Sequence, residues 1–114
     1  MNLDVLMEAA EGNVDFAREL AALYLSGIEE QLNLLRMALA ERAMERIGHI
    51  AHYCKGSSVT CGALALAELF HQLSQLAQQN QFDECSRVAA DVVVEFGRVQ
   101  ETLRALPQTQ GAPT

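Results

Sequence analysis

From Met1 to Leu106 the chain contains no proline, and across that span apolar residues recur at intervals of three and four. Proline removes a backbone donor and clashes with the preceding turn, so its confinement to the last eight residues leaves helix open everywhere else. Intervals of three and four keep side chains on one side of a 3.6-residue spiral, whereas a half-buried strand needs strict alternation. Ala, Leu, Glu and Gln dominate, tryptophan is absent, and half the residues are apolar. Such a composition favours helix over strand and predicts an all-α protein.

The pattern divides into five segments. A short apolar helix from Leu3 to Ala10 is interrupted by Gly12 and Asn13, and Asn13 suits the N-cap of the next, with Asp15 near the positive end of its dipole. The second stripe runs Phe16, Leu20, Tyr24, Ile28, Leu32, Leu35 and Leu39 and ends near Ala40. The third buries Ile47, Ile50, Ala51, Cys54 and Ser58 and closes before Gly62, where a turn is wanted. Leu66, Leu69, Phe70, Leu73, Leu76 and Ala77 give a fourth helix that stops around Asn80. The last reads Phe82, Cys85, Ala89, Val92, Phe96, Val99, Leu103 and Leu106, a nearly heptad-like seam that predicts close packing along its whole length before Pro107 ends it. Four long amphipathic helices joined by short turns predict an antiparallel up-down-up-down four-helix bundle over residues 1–106, capped by the short N-terminal helix. A chain of 114 residues holds one such core and not two, and the polar residues 107–114 are expected to be a disordered tail.

Charge narrows the function. Eight basic residues against fifteen acidic ones leave a net charge of −7, which suits neither a nucleic-acid backbone nor an anionic membrane surface. No apolar run reaches the ~20 residues of a membrane span, and the amino terminus lacks a basic region followed by an apolar core, so a cytoplasmic protein is expected. Cys54, Cys61 and Cys85 are an odd number and match no metal-knuckle spacing, which makes them small core residues kept reduced.

The chemistry concentrates in His52-Tyr-Cys-Lys-Gly-Ser-Ser-Val-Thr-Cys-Gly-Ala63. At ~100° per residue, His52 falls about 140° from the centre of the third helix's inner stripe and so projects into solvent. Gly48 and Gly56, four residues to either side, lie above and below it on the same face and leave the ring without neighbouring side chains. Each costs a helix roughly 0.5–1 kcal/mol relative to alanine; access for another protein's active site would explain both, the alternative being that Gly56 marks the helix end and Gly48 allows close helix packing. An imidazole is a competent nucleophile near neutral pH. Lys55, the only lysine beside seven arginines, is three residues on and within reach of negative charge held on the ring.

Ala51, His52, Lys55, Gly56, Ser57, Ser58, Gly62 and Ala63 together resemble the signature of histidine phosphotransfer (HPt) domains of multistep phosphorelays: an Ala-His pair, then Lys-Gly, two small residues and a later Gly-Ala. The resemblance implies that His52 takes a phosphoryl group from a receiver-domain aspartyl phosphate, on the ring nitrogen farther from the backbone, and passes it to another receiver aspartate. Lys55 would stabilise the phosphoryl group, while Gly48, Gly56, Val59 and His49 would form the docking face. Implied partners are response-regulator receivers and a hybrid histidine kinase. The protein would act as a monomer, with no cofactor of its own and Mg²⁺ supplied by the receiver. No glycine-rich phosphate loop precedes a helix, so no autonomous kinase or ATPase activity is expected and the chain is a carrier rather than an enzyme.

The sequence also departs from that family. Relatives carry Gln or Glu some twenty residues after the histidine, where Ser74 stands here with Gln72 and Gln75 close by as candidates to orient the ring. Tyr24 replaces the usual phenylalanine, a change expected to matter little. Glu68 and His71 have the Glu-x-x-His spacing of di-iron bundles, but one copy outside the apolar stripe does not make that site, and no metal is expected. A non-phosphorylated adaptor for a receiver or kinase domain is the alternative. The initiating methionine and complete first helix favour a free-standing protein over a piece of a larger kinase.

Overall fold

The computed structural model describes residues 1–106, which form α1 (Leu3–Ala9), α2 (Val14–Ala40), α3 (Met44–Thr60), α4 (Leu64–Gln78) and α5 (Phe82–Arg104). The expected disordered tail, residues 107–114, lies outside the described residues. Asn13 caps α2 as its sequence position predicts, its Oδ1 accepting from the Phe16 N–H at 3.0 Å, and Asn2 caps α1 through the Asp4 N–H at 3.0 Å.

Three connectors reverse the chain in the same way. Arg42, Gly62 and Asn80 adopt left-handed backbone at φ 52°, 83° and 58°. The following N–H groups of Ala43, Ala63 and Gln81 then donate back five residues to the carbonyls of Ala38, Ser58 and Leu76 at 2.9, 2.9 and 3.0 Å. This is the Schellman ending, and each residue that closes one helix is also the N-cap of the next. Arg42 lies over the Phe82 ring at 4.1 Å, so the α2–α3 and α4–α5 turns share one end of the bundle. At the other end the Gly62 carbonyl accepts from the Asn2 N–H at 2.8 Å. The helices therefore run up-down-up-down.

α2 and α5, at 27 and 23 residues, outlast α3 and α4 at 17 and 15. At 1.5 Å per residue α2 exceeds α3 by ~15 Å. α1 folds back over that overhang and buries Leu6, with Ala10 behind it. Gly62 is required where α1 meets the α3–α4 turn: its φ is left-handed, and a Cβ there would overlap the Asn2 carbonyl oxygen.

Ile28, Leu35, Ile47, Leu66, Phe70, Leu73, Val92 and Val99 fill the core. The expected start of the α2 stripe is corrected: Phe16 is 42% exposed, while Ala17 and Ala21 are buried. Both Phe16-Leu20-Tyr24 and Ala17-Ala21-Tyr24 keep helical spacing, and the smaller side chains take the inner face where α1 packs against α2. The α5 seam is buried from Cys85 to Leu103, but the expected close packing along its whole length is not met: α5 packs mainly on the shorter α4 and only sparsely on α2. Towards α2 it leaves a groove of about 660 Å³ walled by Leu32, Leu39, Ala89, Val93 and Phe96.

Ser58 is the one buried polar residue among the described residues, and its Oγ lies 2.6 Å from the Tyr24 hydroxyl. Burial pushes the Tyr24 phenol well above its ordinary range, opposed in part by the bond to Ser58. Tyr24 is thus no neutral exchange for phenylalanine, because its hydroxyl satisfies Ser58. Cys54, Cys61 and Cys85 are buried free thiols whose pKa values burial raises, that of Cys54 to about 12.

Candidate functional site

α3 turns Ile47, Ala51, Cys54 and Ser58 inward, and this phase leaves His52 exposed on the opposite side. The ring borders a groove of about 540 Å³ between α3 and α4, whose walls include Met44, Gly48, His49, Tyr53, Ser74 and Gln78. A Cβ added at Gly48 would rest 3.5 Å from that of Ala77, an ordinary contact, and one added at Gly56 would meet nothing within 4 Å. Packing inside the chain therefore does not require glycine at either position. The space beside Gly56 is open, whereas that beside Gly48 is bounded by Ala77 of α4.

Lys55 is half-buried in a neighbouring recess of the α3–α4 surface, with Val59, Leu64, Ala67, Glu68 and His71. Its Nζ lies 3.2 Å from His71 Nδ1. An ammonium only donates, so as a hydrogen bond this contact requires Nδ1 to accept, in the tautomer that carries the ring proton on Nε2. Val59 is 46% exposed at the rim and His49 is exposed in the groove. Arg46 pairs with Glu41 at 2.7 Å.

Of the three candidates on α4, Ser74 lines the His52 groove, while Gln72 and Gln75 are exposed and outside it. Sequence reasoning missed Gln78, Tyr53 and the His71 contact. Gln78 follows Ser74 by four residues and so shares its face, a signal present in the spacing. Tyr53, 58% exposed beside His52, could have been noticed as a large side chain off the inner stripe. The His71 partnership had no such signal, because it depends on how α4 is rotated against α3. His71 engages a lysine rather than a metal set, and among the described residues no three of His, Cys, Asp and Glu cluster as metal ligands. Nor is any described helix long and apolar enough to cross a membrane.

Comparison with known proteins bears on this geometry. The family model described as Hpt domain matches residues 19–109. Among solved structures, that of histidine-containing phosphotransfer protein B (HptB) from Pseudomonas aeruginosa PAO1 aligns with a TM-score of 0.86 at 25% sequence identity, covering 91% of this chain and 90% of that one. Comparison with curated proteins gives no match.

Proposed function

Because the chain belongs to the Hpt domain family, we propose that it is a phosphorelay carrier in which His52 accepts a phosphoryl group from one receiver aspartate and yields it to another. The observation that carries the assignment is the exposed imidazole on α3, bordered by an open groove and flanked by two glycines that internal packing does not require. A ring nitrogen attacks the phosphorus of an aspartyl phosphate in line with the acyl oxygen; the N–P bond forms as the P–O bond to the carboxylate breaks. Transfer onward reverses these steps on a second aspartate. In-line attack demands that a receiver's active-site cleft close over the ring, and a helix face cleared by Gly48 and Gly56 admits it.

The receiver brings Mg²⁺ and most of the transition-state charge stabilisation. This chain adds the nucleophile and the Lys55 ammonium, whose charge opposes the repulsion of a phosphoryl group by a protein of net charge −7. Tyr53, Val59, Gly56 and His49 offer the docking surface, and Ser74 or Gln78, which line the same groove as the ring, would orient it. The carrier works as a monomer in the cytoplasm, where its buried thiols stay reduced.

Incubation with a phosphorylated receiver and Mg²⁺ tests the assignment. Label should pass to the protein, survive alkali and be lost in acid, as a phosphoramidate is, and His52→Gln should abolish it. Label that persists in His52→Gln would move the acceptor elsewhere. Receiver binding without label would leave an adaptor.

A further inference from the structure

We infer that His71 is a positioning residue for Lys55, holding its ammonium across the α3–α4 interface through an uncharged acceptor so that the full positive charge remains available to a phosphoryl group on His52. The inference rests on the reading of His52 and Lys55 above and extends it to a residue on the adjacent helix. The contact is the 3.2 Å bond from Lys55 Nζ to His71 Nδ1, made where both side chains are half-buried. A free lysine spreads its ammonium over many rotamers, and ordering such a side chain costs conformational entropy. His71 meets part of that cost before any partner arrives. An ammonium has three N–H donors, so one spent on His71 leaves two for phosphoryl oxygens.

The neutrality of the acceptor is the informative feature. A carboxylate at this place would fix Lys55 more tightly but would cancel its charge, and with it the attraction for phosphate. Glu68 lines the same recess, three residues before His71, yet makes no ion pair with Lys55. The lysine is thus oriented by a group that adds no negative charge. Such an arrangement suits a cation meant for a transient anion better than one meant only to staple two helices.

Four variants separate these roles in phosphotransfer from a labelled receiver: His71→Phe, His71→Asn, His71→Glu and Lys55→Ala. Loss of one net hydrogen bond predicts transfer roughly five-fold slower in His71→Phe. His71→Asn places a neutral oxygen where Nδ1 was and should recover most of the rate. His71→Glu keeps the tether but cancels the charge, and should be slowed at least as much as His71→Phe. Lys55→Ala should be slowed as well, and adding His71→Phe to it should cost nothing further. If His71→Glu matches or exceeds wild type, or if the His71→Phe loss persists undiminished without Lys55, His71 is only a structural tether and the inference fails. Should His71→Phe not fold, His71→Glu and His71→Asn carry the test. A wild-type protein that labels on His52 while His71→Phe labels equally fast overturns this inference alone. A wild-type protein that takes no label overturns the phosphotransfer reading and this inference with it.

Discussion

Removing either hydroxyl of the Tyr24–Ser58 pair should destabilise the bundle more than removing both. The two oxygens lie 2.6 Å apart, with Ser58 fully buried and Tyr24 6% exposed. Stranding one buried hydroxyl costs about 1–3 kcal/mol, whereas replacing both partners by apolar groups is nearly neutral. The two single variants are not equivalent. In Tyr24→Phe the Ser58 hydroxyl can turn to the Cys54 carbonyl one turn back, so about 1.5 kcal/mol is expected. In Ser58→Ala the phenol has no such escape, and about 2 kcal/mol is expected. With unfolding entropy near 2.1 cal/mol/K per residue, the 106 described residues give about 0.2 kcal/mol per kelvin, so each single change should lower Tm by about 7–10 °C. The double variant should lose about 0.5 kcal/mol rather than the additive sum of about 3.5, a coupling of about 3 kcal/mol. Thermal and urea unfolding followed by circular dichroism measure all four proteins. Additivity within about 0.4 kcal/mol would show that the contact stabilises nothing, and the account of Ser58 in the core would be wrong.

Further expectations follow from the same geometry. Burial raises the native pKa values of Tyr24 and all three thiols, so the unfolded chain releases these protons first, and stability that is intact below about pH 8.5 should fall as pH rises toward 12; a urea midpoint unchanged between pH 7.5 and 11 would contradict this. Gly62→Ala combines a left-handed φ of 83° with overlap of the Asn2 carbonyl and should cost about 2 kcal/mol or more, against about 1 for Gly12→Ala at an open left-handed site; equal losses in Tm would remove the close approach of α1 from the argument. Gly56→Leu should keep the helix content and weaken receiver binding by about ten-fold or more, which calorimetry would detect, and unaltered affinity would mean the open face is not the docking face.

What the sequence made legible was each helix taken singly. A proline-free chain with three-and-four spacing leaves little else to form, and Asn13, Gly62 and Asn80 sit where capping and left-handed backbone require them. Phe16 misled because periodicity fixes a face only to within one residue, and at an overhang the less bulky row turns inward. Relations between helices were out of reach. Tyr24 with Ser58 and Lys55 with His71 are 34 and 16 residues apart, and each pairing depends on helix rotation that no pattern along the chain encodes. On the site, the exposure of His52 was legible from spacing, and Lys55 and Ser74 only through the family resemblance, whereas the acceptor behind the lysine was not.

The sparse contact between α2 and α5 means that the bundle is closed on three of its four sides and merely abutted on the fourth. Mechanically it is a pleated ribbon more than a sealed tube, with its fold lines at the three tight reversals. Local opening is expected along that unsealed edge before it reaches the α3–α4 leaf opposite, which bears the imidazole.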